Sequence, residues 1–366
     1  MEKGNKIVGI ATFCSTLDNY GQILQNFALQ SVLEKRGFLP ITIQYYNIEL
    51  STLQYCKLKI LNFLRLRKIN DLRGFCDFRK KYIKQTRPYF GIKSLFGKNI
   101  ADLYITGSDQ VWSMSVNDEN NGFYYLAFVD DKIPKISYAA SFGQDIIPDK
   151  QKAKMKNLLG KLSAISVREM SGITICENLR LKAEIVLDPT MLLSANEYKR
   201  VFKLSKLHVD KYVYVYHLNI SNKNDIFWDT LNNIIRKYKI IGTVSSGRTP
   251  AIELLPELDY VYPNPVKWLE YISNAVLVVT TSFHGMVYAI LFHKPFLVFP
   301  LRGKHSNSNS RIVDLLRALN LESRLVTTPD CIVDILNDDI DWDDVDQRID
   351  AFRKKSFDFL DRNLYY

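Results

Sequence analysis

The chain has 366 residues, of which 47% are hydrophobic and 24% are charged. This is the composition of a folded globular protein, and it excludes intrinsic disorder, collagen-like repeats and a coiled-coil rod. The length predicts about two domains, since single cores stop growing at roughly 250–300 residues. The 5 cysteines form no C-x-x-C pair, which favours a reducing compartment over a disulfide framework or a zinc module.

The first half of the chain alternates short β-rich runs with longer helical ones. The apolar pattern predicts a strand over 6–13, a helix over 21–35 and a second strand over 39–45, which together form a βαβ unit. Further strands are predicted at 101–106, 135–140, 164–167 and 185–186.

The alternation restarts after about residue 193. The predicted strands are 212–218, 240–244, 276–281 and 295–299, and the predicted helices are 225–238, 265–274, 286–292, 312–319 and 345–364. Strands separated by helices predict parallel sheets covered on both faces, with ligands beyond the carboxyl ends of the strands.

These patterns predict an α/β fold with two Rossmann-like domains that face each other across a cleft. The expected domains are 1–193 and 194–342, with a final helix over 343–366. We expect that helix to pack across the junction or back on the first domain.

No segment has the pattern of a signal peptide or a membrane span. The first apolar run, 7–13, continues directly into a polar stretch, and the long apolar stretch 275–300 is interrupted at 280–285 and 293–295. We therefore expect a cytoplasmic protein.

The positive charge is concentrated in a basic insert at about 57–98. The formal net charge is +10, and thirteen Lys or Arg residues face only two Asp residues between Lys57 and Lys98. Leucines interleave with Arg65, Arg67 and Lys68, as in a basic amphipathic helix near an anionic surface. A solvated helix face, peripheral contact with an anionic membrane, and a nucleic-acid partner are the three interpretations. Nucleic acid is excluded from our expectation because no binding motif accompanies the charge.

Two loops of the first half carry polar residues suited to a sugar. Asn19, Tyr20 and Gln22 lie where the first helix begins, so free backbone N–H groups there could hold an anion or a hydroxyl-rich ligand. Ser108, Asp109, Gln110 and Trp112 offer a hydroxyl, a carboxylate, an amide and an aromatic plate after a strand. The alternative for the second loop is a helix N-cap at Ser108 or Asp109, with Trp112 in the core.

The chain has no G-x-G-x-x-G and no P-loop, which argues against a dehydrogenase and a kinase.

Arg168 follows the predicted strand 164–167. A planar guanidinium there suits a carboxylate or a phosphate. The alternative is a local salt bridge, for example to Glu169.

His284 lies between an apolar strand and a helix, in the run Thr281 to Gly285. A histidine held at such a turn can transfer a proton near neutral pH. Gly285 would let a ligand approach the helix N-terminus. The alternative is a core histidine, and the spacing of the five histidines gives no support for a metal site.

A cationic loop runs from Arg302 to Arg311. Lys304, His305, Ser310 and Arg311 suggest an anion, such as phosphate, at the start of the next helix. Ser310 as a simple N-cap is the competing interpretation.

The sequence resembles the polysaccharide pyruvyl transferase family. The resemblance covers nearly the whole chain and is carried by short motifs in the same order. They are Asn19-Tyr20-Gly21, Gly107 to Trp112, Ser137 to Gly143, Ser166-Val167-Arg168-Glu169, Leu187-Asp188-Pro189-Thr190 and Ser282-Phe283-His284-Gly285. It implies a GT-B-like fold and transfer of pyruvate from phosphoenolpyruvate to a sugar of a surface polysaccharide or its polyprenyl-linked precursor, as a ketal.

The resemblance implies that Arg168 and His284 are catalytic. Ser282, Phe283, Gly285 and the cationic loop would then bind the donor, and the loops at 19–22 and 108–112 would bind the acceptor. Phosphoenolpyruvate would be a co-substrate, with no other cofactor and no metal. Some relatives carry an arginine where this chain has Ser282, and the cationic loop could replace it. The alternatives are a GT-B glycosyltransferase using a nucleotide sugar and a non-catalytic sugar-binding module.

Overall fold

A computed structural model describes residues 6–48, 71, 73–207, 210–245 and 250–365, without the side chains of residues 250, 251, 304, 305 and 307. Most of the predicted amphipathic stretch in the basic insert, up to residue 70, lies outside these residues. Within the described ranges, no helix is both long and apolar enough to cross a membrane. Four cysteines are described, and all four are free: Cys14, Cys76, Cys176 and Cys331.

The first half contains a parallel sheet of four strands in the order β2-β1-β5-β6. The strands are β1 (Ile7–Ala11), β2 (Leu39–Thr42), β3 (Tyr45–Tyr46), β4 (Tyr89–Phe90), β5 (Leu103–Thr106), β6 (Lys135–Ser137), β7 (Ser166–Val167) and β8 (Glu184–Ile185), of which β3 pairs with β4 and β7 with β8. Single bridges, such as Ile136 to Ala164, attach the β7 region to β6. The carboxyl ends of β5, β6 and β7 therefore lie at one edge.

The second half contains a parallel sheet of five strands in the order β11-β10-β9-β12-β13. They are β9 (Tyr212–His217), β10 (Lys239–Val244), β11 (Asp259–Tyr260), β12 (Leu277–Thr280) and β13 (Phe296–Val298). Every residue of β9 and β12 is buried, as expected for central strands of a parallel sheet covered on both faces.

Twelve α-helices cover the two sheets within the described ranges. They are α1 (Tyr20–Lys35), α2 (Phe75–Tyr82), α3 (Asp149–Leu159), α4 (Met170–Asn178), α5 (Ala195–Phe202), α6 (Trp228–Ile235), α7 (Pro250–Leu254), α8 (Pro265–Asn274), α9 (Phe283–Leu291), α10 (Ser310–Ala318), α11 (Cys331–Asn337) and α12 (Trp342–Leu364). Short 3₁₀ helices include Pro189–Leu192 and Gly303–Ser308.

Several predicted elements differ in their bounds. The predicted strand 39–45 is divided into β2 and β3, and the predicted helix 225–238 is divided at Phe227, whose φ of 48° is left-handed. The predicted helix 286–292 begins three residues earlier, at Phe283. This last difference places His284 inside the first turn of α9 instead of in the turn before it.

The two halves share one apolar cluster. Tyr20, the first residue of α1, stacks on Trp268 of α8 with ring centroids 4.8 Å apart, and its hydroxyl donates to the carbonyl of Pro263 at 2.7 Å. Helix α12 contacts both halves: Asp346 pairs with His293, and Asp361 pairs with Arg36. The fold is therefore α/β with two Rossmann-like domains, as predicted, while the boundary at 193/194 stays a prediction.

Candidate active site

Arg168 lies directly after β7, with its side chain only 1% exposed. Its guanidinium faces three carboxylates: Nη1 donates to Asp188 Oδ2 at 3.0 Å, Nε lies 3.4 Å from Glu169 Oε2, and Nη2 lies 3.5 Å from Asp109 Oδ1. The alternative of a local ion pair with Glu169 is thus part of a larger network. Nε and Nη2 make no hydrogen bond among the described residues, although each lies within ion-pair distance of a carboxylate.

Asp188 is the centre of the network. It is the N-cap of the 3₁₀ helix Pro189–Leu192, where Oδ1 accepts from the Thr190 N–H at 3.0 Å and from the Thr190 hydroxyl at 2.7 Å. Oδ2 accepts from the Ser108 hydroxyl at 2.7 Å, in addition to Arg168. Burial opposes ionisation, but the neighbouring His284 and Arg168 and the Thr190 hydrogen bond hold the pKa of this carboxyl well below its usual range.

His284 reaches the same carboxylate from the second half. Its Nε2 lies 3.6 Å from Asp188 Oδ2 and has no hydrogen-bond partner among the described residues. Its ring lies against Gly21 of α1, where a Cβ atom would stand 2.0 Å from Nδ1. The absence of a side chain at residue 21 therefore makes room for the imidazole, and the ring is held between α1 and the Asp188 carboxylate.

This contact brings two helix N-termini together. Asn19 caps α1 by accepting from the Gln22 N–H at 3.1 Å, and Ser282 caps α9 by accepting from the Gly285 N–H at 3.3 Å. The remaining first-turn N–H groups of a helix have no partner within the helix, and they carry a partial positive charge. Their meeting at one place favours a negatively charged ligand.

Arg311, in the first turn of α10, is the second guanidinium of the site. The ring of Phe283 lies 5.0 Å from the guanidinium carbon of Arg168 and 5.8 Å from that of Arg311. Burial, and then the like charge of Arg168, lower the pKa of Arg311 to about 10. Its Nε is buried without a partner among the described residues. Two cations thus lie against one aromatic ring, and each has N–H groups that make no hydrogen bond among the described residues.

A cavity of about 440 Å³ opens onto this cluster at the seam between the halves. Arg168, Asp188 and Phe283 contribute to its wall, together with apolar residues such as Leu315 and Phe352. The cavity reaches the cluster at these three residues, whereas His284, Glu169 and Arg311 do not line it.

Two predicted acceptor residues are in the core instead. The Trp112 side chain is fully buried, stacks on Tyr125 and donates its N–H to the carbonyl of Tyr124 at 3.0 Å. Tyr20 is fully buried against Trp268. Both predictions are wrong for a direct ligand contact, because aromatic residues after a strand also close the core around the sheet edge.

The loop Ser108 to Gln110 does not begin a helix, so the N-cap alternative is also wrong. Ser108 is fully buried on Asp188, and Asp109 adopts a left-handed backbone with φ of 82° beside Arg168. Gln110 donates across the seam to the Ser308 hydroxyl at 3.1 Å. The half-buried members of the predicted acceptor set are therefore Asn19, Gln22 and Gln110.

The cationic loop forms the 3₁₀ helix Gly303–Ser308 followed by α10. Asn309 takes the N-cap position of α10, and Ser310 is the first residue of the helix, so the prediction of Ser310 as the N-cap is wrong by one residue. The side chains of Lys304 and His305 lie outside the described residues, and Arg311 is the member that the structure brings to Arg168. Ser282 acts as the helix cap.

The sequence reasoning missed Asp188 and Glu169 as site residues. Both are acidic residues two positions after the end of a predicted strand, Asp188 before a proline and Glu169 beside Arg168. A buried arginine needs carboxylates near it, and this requirement could have selected them. Among the described residues, no three potential ligands cluster in a metal-binding arrangement.

A comparison with known protein families gives a match over most of the chain. The sequence profile of the polysaccharide pyruvyl transferase family matches residues 19–301, which include Arg168, Asp188 and His284. The chain belongs to this family. A family of transferases acting in polysaccharide biosynthesis implies a sugar acceptor. No curated protein sequence is significantly similar to this family member.

Solved structures share the fold. A putative UDP-N-acetylglucosamine 2-epimerase from Listeria monocytogenes matches with a TM-score of 0.56 and 11% identity, covering 94% of this chain and 91% of that one. The S. aureus MnaA-UDP co-structure matches with a TM-score of 0.51 and 13% identity, covering 96% and 91%. These likenesses show a GT-B-like arrangement of two Rossmann-like domains for this pyruvyl transferase family member, and they show the fold alone.

Proposed function

We propose that the protein transfers the pyruvyl group of phosphoenolpyruvate to a sugar and joins it to two hydroxyls as a ketal. The observation that carries this proposal is the pair of guanidiniums, Arg168 and Arg311, at the Phe283 ring, each with N–H groups that make no hydrogen bond among the described residues. A small donor with a carboxylate and a phosphate offers an acceptor group to each cation.

The donor would lie between the guanidiniums and the two helix N-termini. Phosphoenolpyruvate carries up to three negative charges, so the site must neutralise charge without supplying a strong nucleophile. Arg311 then takes the place of the arginine that some relatives carry where this chain has Ser282. Phosphoenolpyruvate is a co-substrate in this proposal, and no further cofactor is needed.

The imidazole of His284 would accept the proton of an attacking acceptor hydroxyl. Asp188 orients it and stabilises its protonated form, as a carboxylate behind a catalytic histidine does. The half-buried Asn19, Gln22 and Gln110 lie on the rim of the same region and would contact the sugar.

The acceptor would be a surface polysaccharide or its polyprenyl-linked precursor. A lipid-linked acceptor would give the basic insert at 57–98 a role in peripheral contact with the anionic inner face of the membrane. The protein would then work in the cytoplasm, at that surface.

The test combines product and phosphate measurements. The protein is incubated with phosphoenolpyruvate and a panel of nitrophenyl hexosides and N-acetylhexosaminides, and mass spectrometry detects an added pyruvyl group. We expect one phosphate to be released per pyruvyl group transferred. Transfer of a sugar from UDP-sugars, with release of UDP, would identify a glycosyltransferase instead. Absence of both turnover and heat of phosphoenolpyruvate binding would identify a binding module.

Arg311→Gln tests the donor site separately. Loss of a charge-assisted hydrogen bond costs about 1.5–3 kcal/mol, so we expect phosphoenolpyruvate affinity in titration calorimetry to fall at least about tenfold. Arg200→Gln is the matched control, because Arg200 is exposed on α5. Equal affinities of the two variants would contradict the assignment of Arg311 to the donor.

A further inference from the structure

Glu169 and Asp188 lie at different nitrogens of one guanidinium. Arg168 Nη1 bonds to Asp188 Oδ2 at 3.0 Å, and Nε lies 3.4 Å from Glu169 Oε2. The Asp188 carboxylate has five close polar contacts, whereas Glu169 Oε2 is buried with no hydrogen-bond partner among the described residues. The Asp188 carboxylate is fixed by hydrogen bonds, whereas Glu169 Oε2 has only the longer ion-pair contact with Arg168.

The charge balance leaves one carboxyl in excess. Apart from His284, whose proton the reaction moves, the carboxyls of Asp109, Glu169 and Asp188 lie beside two cations among the described side chains, Arg168 and Arg311. A donor with up to three negative charges would add to this excess, and in a poorly solvated site the repulsion is relieved when a carboxyl takes up a proton. Glu169 is the candidate, because Asp188 is held by four donors and Asp109 Oδ1 accepts from the Gln110 N–H at 2.9 Å.

The groups around Glu169 agree with this choice. Burial raises the pKa of Glu169, although the facing guanidiniums of Arg168 and Arg311 and the Ser141 hydroxyl act in the opposite direction. The pKa of Asp188 is shifted the other way. Two carboxyls whose environments shift their pKa values apart are typical of an acid and a charged partner that divide the work of one site.

We propose that Glu169, in its neutral form, donates the proton that converts the methylene carbon of phosphoenolpyruvate to a methyl group, while His284 accepts the proton of the attacking hydroxyl. This inference rests on the proposed function, and it assigns the acid to Glu169 and the base to His284. The donor would bind with its methylene carbon toward Glu169 Oε2.

The steps balance with these two residues. Glu169 gives its proton to C3, and the first sugar hydroxyl adds to the cationic C2 while its proton goes to His284. The bond from C2 to the phosphate oxygen breaks, and the leaving phosphate takes the proton from His284. The second hydroxyl closes the ketal, and its proton returns to the Glu169 carboxylate. The products are the ketal and inorganic phosphate, and both residues are restored.

Glu169→Gln tests the acid role. We expect turnover to fall about 10²- to 10⁴-fold, while phosphoenolpyruvate affinity in calorimetry stays unchanged or increases because a negative charge is removed. Wild-type turnover should fall on the alkaline side as Glu169 ionises, since the acid must be protonated, and the variant's residual rate should lack this limb. Glu177→Gln is the control, on the exposed face of the same helix α4, and should behave as wild type.

Failure of this inference is distinct from failure of the proposed function. If the wild type transfers pyruvyl groups but Glu169→Gln keeps its rate, or loses donor affinity in proportion to turnover, the acid role is wrong and the function stands. If Glu169→Gln does not fold, Glu169→Asp replaces it and should keep the alkaline limb at a reduced rate. A wild-type pH profile with no alkaline limb overturns the assignment without any variant.

Discussion

At the scale of residues, the buried carboxylate of Asp188 connects the groups of the site. Asp188 accepts from Ser108, Thr190 and Arg168 and lies 3.6 Å from His284. Burying an ion costs several kcal/mol unless hydrogen bonds and opposite charges compensate it, and here the compensation comes from both halves of the chain. The contacts that compensate the cost of burying the Asp188 carboxylate also bring Arg168 and His284 together.

His284→Ala measures the contribution of the imidazole. If His284 transfers protons, we expect turnover to fall about 10²- to 10⁴-fold, with little change in donor affinity because Arg168 and Arg311 remain. Phosphate release from phosphoenolpyruvate in the presence of acceptor is the measurement.

His293→Ala is the matched control, since His293 is half-exposed and pairs with Asp346 away from the site. A His284→Ala variant that keeps a rate close to wild type would remove the proton-transfer role.

The sequence predicted the two ends of this network but not its centre. Arg168 and His284 stand out because a guanidinium and an imidazole follow strands. Asp188 was less visible, because an Asp before Pro-Thr is also an ordinary helix cap, and it serves as one here. Trp112 is the opposite case, a predicted ligand residue that is in the core. Its position after a strand suits an aromatic ring that stacks on a sugar, and only its packing against Tyr125 shows that the ring is buried.

At the scale of elements, the contact between the first turns of α1 and α9 holds the imidazole of His284. The predicted strands of both sheets are present, because apolar periodicity identifies buried elements well, but the short edge strand β11 and helices such as α3 were not predicted. The start of α9 was predicted three residues late, because Ser282 as a cap is a local hydrogen bond that periodicity does not report. The earlier start matters for the site because it places His284 in the first turn of α9, beside Gly21.

A double-mutant cycle between Gly21 and His284 tests this contact. Alanine at residue 21 would displace the imidazole, so in the wild-type background we expect Gly21→Ala to destabilise by about 1–3 kcal/mol and to reduce turnover. In the His284→Ala background the space is free. There, alanine's better helix propensity should make the same change neutral or stabilising by up to about 1 kcal/mol.

Denaturant unfolding of the four proteins provides the free energies for the cycle. Gly37→Ala is unsuitable as a control because Gly37 has a φ of 84°. Thr174→Ala, an exposed position on α4, is suitable. Additive effects of the two changes would show that residues 21 and 284 do not touch.

The whole molecule joins two sheets through one apolar cluster. Length and alternation predict two domains with a cleft, but they do not show how closely the halves pack. That depends on long-range contacts such as Tyr20 with Trp268. The close packing leaves a 440 Å³ cavity at the seam, large enough for a small donor.

Charge is unevenly distributed over this molecule, and the last prediction concerns that asymmetry. The excess of Lys and Arg falls between residues 57 and 98, and the described part includes the exposed Lys80 and Lys81 at the end of α2. Each Lys near an anionic leaflet contributes about 1 kcal/mol. We therefore expect co-sedimentation with vesicles containing phosphatidylglycerol, weaker binding at high salt, and none with phosphatidylcholine alone.

Reversing two of these charges locates the membrane-facing surface. Lys80→Glu with Lys81→Glu should reduce vesicle binding at least about tenfold, since each reversal removes one attraction and adds a repulsion. Lys150→Glu with Lys154→Glu is the matched control: it makes the same change in net charge at exposed positions of α3. If both pairs reduce binding equally, net charge alone attracts the protein. If neither does, and wild-type binding ignores anionic lipid, the basic insert is a solvated surface and the acceptor must reach the site without it.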